Sequence, residues 1–246
     1  GNQLILTGEG ETLYEKANYI LQYCTELQSD CFGLSRNKPP IRIGIPPMLS
    51  TVFFPELLTA FQKEYPDVPV MLEEYASVRA CNLVQNDSLD LALVNMEQYN
   101  IDKFHHALLA NDQVVFCVSK EHPLVRKEEA TIQDMAQLPL IFFNGDSVQN
   151  QLLKIRFELE GFTPHVLMHN SQIYPTLHFL KNTTGGCFLY PSMTNKFPDI
   201  VQLQLKPPLF IKIGMIWKKG KYISNDMQTF LNFTRKYYKD HPLIRE

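Results

Sequence analysis

No stretch of this 246-residue sequence approaches the roughly 18 consecutive apolar residues that span a bilayer. Its first residues also lack the basic, apolar and small-residue order of a secretory signal. The expectation is a soluble, cytoplasmic chain with no membrane partner. Excess charge of either sign is missing too. With 23 Lys and Arg against 26 Asp and Glu, a formal net charge of −3, no global positive field draws the chain to nucleic acid. Any contact with DNA has to come from a part outside these residues. Cysteine is scarce: Cys24, Cys31, Cys81, Cys117 and Cys187 form an odd, scattered set that excludes the disulfide framework of a small secreted domain. They read as small buried hydrophobes. A redox pair in the second half needs exposed, low-pKa thiols, and the sequence around Cys117 and Cys187 supplies no cation to lower a thiol pKa.

Catalytic motifs are absent as well. The sequence has no H-E-x-x-H, C-x-x-C or G-x-S-x-G pattern. His105 and His106 adjoin each other instead of taking the spacing of a helical metal pair. Gly185 and Gly186 follow a helical segment rather than open one, so they do not form a phosphate-cradling loop. The expectation is no enzyme, no catalytic residue, no bound metal and no cofactor.

What the sequence does contain is apolar periodicity, with 45% hydrophobic residues, enough to build real cores in a chain of this length. Leu13, Ala17, Ile20, Cys24, Leu27 and Cys31 alternate steps of four and three, the a/d seam of a helix that pairs with another helix. An amphipathic helix packed on its own domain shows the same spacing. Thr7 is placed to cap this helix, and Glu9 and Glu11 sit at the positive end of its dipole. Asn37-Lys38-Pro39-Pro40 then reads as a linker, and a helix set apart in this way reads as an inter-subunit element.

Beyond the linker, strand and helix periods alternate. Ile41, Ile43 and Ile45 mark a strand; Phe54, Leu58, Phe61 and Tyr65 a helix face; Val68, Val70 and Leu72 a strand. A short helix over about 77–85 and a buried strand over 89–94 complete a βαβαβ order, which implies parallel pairing. The second half repeats the theme. Strands are expected at 114–118, 140–143, 165–168, 187–189, 201–205 and 210–217. Helices are expected from Val148 to a stop at Gly161, over about 175–182, and at the end, carrying Met227, Phe230, Leu231, Thr234 and Tyr238. The fold class expected is α/β, two Rossmann-like lobes with a central cleft, preceded by a dimerisation helix.

Several segments, taken in order, resemble one family. Leu6-Thr7-Gly8-Glu9-Gly10-Glu11-Thr12-Leu13 resembles the start of the LysR-type linker helix. Ile41-Arg42-Ile43-Gly44, Phe54-Pro55-Glu56-Leu57-Leu58, Tyr65-Pro66-Asp67-Val68 and Leu89-Asp90-Leu91-Ala92-Leu93-Val94 resemble the first lobe of that family's effector domain. His122-Pro123-Leu124, Gly161-Phe162-Thr163-Pro164, Thr184-Gly185-Gly186 and Leu189-Tyr190-Pro191 resemble the second. The resemblance runs from Leu6 onward and implies a type 2 periplasmic-binding-protein-like fold. It also implies two chain crossings between lobes, near Asn111 and near Lys219, with the last helix returning to the first lobe. The implied division is 1–38 as dimerisation helix and linker, 39–111 with 219–246 as lobe I, and 112–218 as lobe II. The implied function is a LysR-type transcriptional regulator. These residues would form its effector-sensing and oligomerisation part, a homodimer or homotetramer that touches DNA only through an N-terminal domain not among them.

The cleft chemistry follows from the βα loops, whose helix starts offer free N–H groups to anionic or strongly polar ligand atoms. In the first lobe the loop is Pro46-Pro47-Met48-Leu49-Ser50-Thr51, with usable amides from Met48. In the second it is Asn144-Gly145-Asp146-Ser147. The expected effector-binding residues are Pro47, Met48, Leu49, Ser50, Thr51, Ser77, Asn95, Asn144, Gly145, Asp146, Ser147, Ser171 and Gln172. Ser77 occupies the resembled family's hydroxyl position for a ligand contact and reads first as a helix cap, the two roles being compatible; Ser50 and Thr51 carry the same ambiguity. Met48 stands where the family often has Ser or Thr, and Asn95 where it often has Arg. Both departures, with Asp146 beside the second helix start, argue against a dicarboxylate, and Met48 argues for a ligand with an apolar part. Two rivals share the fold: an extracytoplasmic solute-binding protein, which needs no dimerising arm, and a prephenate- or arogenate-dehydratase-like enzyme, which finds no acid, base or nucleophile constellation here.

Overall fold

The computed structural model describes residues 6–32, 38–97, 101–143, 147–194 and 197–241. Helix α1 (Gly8–Phe32) opens the chain, and Thr7 Oγ1 accepts the Gly10 N–H at 3.1 Å, so the expected cap is in place. Strand β1 (Ile41–Ile45) leads into α2 (Pro47–Val52) and α3 (Phe54–Glu64), then β2 (Val70–Glu74), α4 (Ser77–Gln85) and β3 (Leu91–Asn95). Next come the long β4 (Phe104–Ser119), β5 (Glu129–Thr131), α5 (Ile132–Met135), β6 (Leu140–Phe142) and α6 (Val148–Leu159). The chain ends with β7 (Val166–His169), α7 (Ile173–Leu180), β8 (Gly186–Leu189), α8 (Pro191–Thr194), β9 (Ile200–Lys218) and α9 (Asn225–Asp240). Gly161 stops α6 because it takes φ of +77°, a left-handed conformation that only glycine adopts without strain.

The strands form one sheet in the order β2-β1-β3-β9-β4-β8-β6-β7, with β5 added beside β9. At one end β1 pairs in parallel with β2 and β3, and at the other β6 pairs in parallel with β7 and β8. Between these parallel sets, β4 and β9 run antiparallel to each other from Phe104↔Lys218 to Ser119↔Ile200. The two parallel sets with their helices are the two lobes, and β4 and β9 are the strands that pass from one to the other.

β9 corrects two expectations. The segments expected as separate strands at 201–205 and 210–217 are one strand with a register shift, since Val114 faces Leu209 while Val115 faces Gln204. The excess residues include Pro207 and Pro208, which have no N–H for a ladder and are tolerated in a bulge. Their carbonyls are not left open: Arg156 of α6 donates to both Pro207 O and Pro208 O. The second crossing also differs from the expected position near Lys219. Ile213 to Ile216 already pair with β3, so β9 has joined the first lobe's sheet by Ile213, opposite Ala110 of β4.

The last helix packs on the first lobe. Phe230 of α9 meets Phe61 of α3 edge to face at a ring separation of 4.9 Å and stacks near Phe54, while the Tyr238 hydroxyl donates to Phe53 O. By contrast α1 keeps Leu13, Ile20 and Leu27 between 57% and 70% exposed, and touches the body where the Tyr23 ring meets Tyr222.

Candidate ligand-binding cleft

A cavity of about 310 Å³ lies between the two lobes. Its walls come from the C-terminal ends of the parallel strands, where an open α/β sheet offers loops and helix starts to a ligand. Pro46, Pro47, Met48 and Leu49 follow β1; Glu74 ends β2, with Tyr75, Ala76, Ser77 and Arg79 after it; and Asn95 closes β3. From the second lobe, Phe143, Ser147, Val148 and Gln149 follow β6, Ser171 follows β7 and Tyr190 follows β8.

Of the residues expected from sequence, Pro47, Met48, Leu49, Ser77, Asn95, Ser147 and Ser171 are brought together on this lining. Asn144, Gly145 and Asp146 lie outside the described residues. Ser50, Thr51 and Gln172 are not on the lining. The segment expected as a loop after β1 is the helix α2, which Pro47 starts because a first-turn residue needs no N–H donor. Inside it, Thr51 Oγ1 turns back to Pro47 O at 3.1 Å, and Ser50 Oγ lies 2.8 Å from Pro47 O and 2.6 Å from Glu74 Oε1. Gln172 is spent on its own turn: its N–H donates to Asn170 Oδ1 and its carbonyl accepts from Thr176 Oγ1.

Ser77 is a first-turn residue of α4, not its cap, which is Ala76. Its buried hydroxyl oxygen accepts the Asn95 N–H at 3.2 Å and so ties the end of β3 to the start of α4. Neither Ala76 nor Ser147, the cap positions of α4 and α6, makes a side-chain cap hydrogen bond, which leaves first-turn N–H groups of both helices for another acceptor. Asn95 Oδ1 accepts the Glu97 N–H at 3.0 Å, and its Nδ2 has no partner. Gln149 Nε2 donates to Phe188 O at 2.9 Å, and its Oε1 has none.

Sequence reasoning missed Gln149, Arg79, Tyr190, Phe143, Glu74 and Tyr75. Gln149 carried a usable signal, since it stands in the first turn of the helix that Ser147 precedes, the same placement that singled out Ser77. Arg79, exposed at the lining, packs its guanidinium 5.0 Å from the Tyr75 ring centre. Tyr190 connects the cavity to the strand crossing. Its phenol is pushed well up by burial and by the charge of Asp112, a β4 residue whose own carboxyl is raised by burial to about 6. Asp112 Oδ1 accepts the Gln113 N–H at 2.7 Å, and the Ser192 hydroxyl lies beside the carboxylate.

Cys117 and Cys187 face each other as register partners across β4 and β8, fully buried, and burial with the neighbouring thiol pushes Cys187 well above its ordinary value. Such thiols are poor nucleophiles. Cys81 is likewise buried and raised to about 12, Cys24 is exposed, and the side chain of Cys31 lies outside the described residues. Among the described residues, no cluster of His, Cys, Asp and Glu could hold a metal ion, and no helix is long and apolar enough to cross a membrane.

A family profile described as the LysR substrate binding domain matches residues 35–239. The chain is 28% identical over 207 residues to YwbI, an uncharacterised HTH-type transcriptional regulator of Bacillus subtilis, covering 82% of this chain and 68% of that protein. Among solved structures, the effector binding domain of QuiR in complex with shikimate superposes with a TM-score of 0.72 at 21% identity, covering 82% of this chain and 98% of that one. A full-length mutant of BenM superposes with a TM-score of 0.72 at 15% identity, covering all of this chain and 82% of BenM.

Proposed function

This chain belongs to the LysR substrate binding domain family, and on that footing we propose that the cavity between its lobes is the site where a small-molecule effector is sensed. The observation that carries this reading is the placement of one cavity at the C-terminal ends of parallel strands from both lobes. A ligand that touches both lobes favours the lobe angle that lets it do so, and that differential affinity is the means by which it biases the rest of a regulator. The residues assigned to the effector are Pro47, Met48, Leu49, Ser77, Asn95, Ser147 and Ser171, joined by Arg79, Gln149 and Tyr190. DNA recognition belongs to an N-terminal domain ahead of α1, in keeping with the HTH-type name of YwbI. The exposed seam of α1 pairs with a second copy in a homodimer or homotetramer. We place the regulator in the cytoplasm and assign it no catalytic step. The family match favours this reading over a solute-binding protein of the same fold.

The test is a thermal-shift survey of metabolites on the chain, since a ligand that binds only the folded state raises its melting temperature. Calorimetry on variants then follows. Ser77→Ala and Ser147→Ala are each expected to weaken the effector about tenfold with folding nearly intact, the loss of roughly one hydrogen bond, and Met48→Thr to change which ligand is preferred. Unchanged affinity and selectivity in all three variants would remove the cleft from consideration.

A further inference from the structure

Among the described lining residues, one buried side-chain donor and one buried side-chain acceptor are left without a partner, on opposite lobes. Asn95 is 4% exposed and Gln149 1%. In each, the backbone dictates which end of the amide is left over. The Glu97 N–H occupies Asn95 Oδ1, which leaves the donor Nδ2; Phe188 O takes a hydrogen from Gln149 Nε2, which leaves the acceptor Oε1. Flipping either amide would set N–H against N–H or oxygen against oxygen, so the polarity of both leftover atoms is fixed by the chain.

The remaining walls are rich in donors. The uncapped starts of α4 and α6 offer N–H groups, and Arg79 adds a guanidinium, with Glu74 as the one carboxylate among the described lining residues. Walls of this kind accept a carboxylate, a carbonyl or a hydroxyl oxygen and by charge alone favour the carboxylate, so they do not select for a hydrogen on the ligand. Gln149 Oε1 does choose. Among the described lining residues it is the only buried side-chain acceptor without a partner, and a ligand atom placed against it has to bring a hydrogen.

We propose that Gln149 is the specificity-determining residue of the cleft, selecting a ligand that pairs an acceptor with a hydroxyl, amine or carboxamide hydrogen, and disfavouring a bare carboxylate. This rests on the reading of the cleft as the effector site. A site built to hydrogen-bond an OH or NH group discriminates strongly against an analogue without it, because its own polar atom is then buried unpaired.

Acetamide and acetate are probes of equal shape; acetate lacks the terminal hydrogen and carries a charge that Arg79 and the helix starts favour, so a preference for acetamide is read against that charge and reports the Gln149 acceptor. Each is titrated into the 246-residue chain, labelled with ¹⁵N, with the Asn95 and Gln149 side-chain amides and the lining backbone amides followed by NMR. Acetamide is expected to bind about tenfold more tightly than acetate. Gln149→Met keeps the length, removes the acceptor and is expected to abolish that preference. Should Gln149→Met fail to fold for want of the bond to Phe188 O, the wild-type comparison decides alone, and Asn95→Asp, which turns the donor into an acceptor, is expected to weaken both probes. Acetate binding at the lining as tightly as acetamide, or the preference surviving Gln149→Met, overturns the inference and leaves the effector-site reading standing. Neither probe moving any lining resonance up to molar concentration removes that reading and this inference with it.

Discussion

Helices α1 and α9 carry much the same apolar period and end in opposite circumstances. In α9, Met227, Phe230, Leu231, Thr234 and Tyr238 are all buried, with Phe230 set among Phe54 and Phe61 of α3. In α1, Leu13, Ile20 and Leu27 stay exposed. A helical period reports that a face exists to be covered; it does not report what covers it. For α9 the cover is the same chain. For α1 we assign it to a second copy.

Breaking the contrast begins with its buried side. Phe230→Ala opens a cavity where the ring met Phe61 and is expected to cost about 3–5 kcal/mol of folding stability, read by urea or thermal denaturation. On the other side, Ile20→Asp is expected to leave the unfolding of the lobes unchanged at low protein concentration while weakening self-association by about tenfold or more, read by sedimentation. A monomer at high concentration before any substitution, or Ile20→Asp unfolding the lobes as Phe230→Ala does, would put α1 on its own chain after all. The smallest effect sharpens the account of α9 itself. Thr234 is buried with its hydroxyl unpartnered, so Thr234→Val removes an unmet polar group at nearly constant shape and is expected to stabilise by about 1 kcal/mol. A loss of stability in that variant would mean that the hydroxyl is satisfied in solution.

The same contrast explains what could be read from the sequence. The β1 strand, the α4 boundaries at Ser77 and Gln85 and the stop at Gly161 follow from local period and local backbone conformation, which a linear reading captures. The two-lobed architecture followed from the order of those periods, helped by the LysR resemblance. The site was legible only in part. Ser77 and Ser147 lie on the lining, Ser147 expected there as a helix start at a strand end and Ser77 from the family resemblance as well. Tyr190 joins the lining only because β8 lies between β4 and β6, a neighbour relation no sequence window contains, and the same relation supplies the Gln149 bond to Phe188 O that its first-turn position did not reveal. Ser50 and Thr51 were misplaced for a local reason: two consecutive prolines read as a loop, when the second is a good first residue for a helix. The strand β9 was cut in two because its prolines look like a break, and the structure absorbs them in a bulge instead.

The pairing of β4 with β9 across both lobes bears on how the molecule comes apart. Because the two crossing strands lie side by side and are hydrogen-bonded to each other along nearly their whole length, neither lobe can lose its inner edge without stripping that edge from the other. Melting is therefore expected to be a shared event, seen in scanning calorimetry as a single heat-absorption peak rather than two. Whatever strengthens one lobe is felt as resistance in both, so that a few contacts made in the cleft are written into the calorimetric behaviour of the whole double-lobed body.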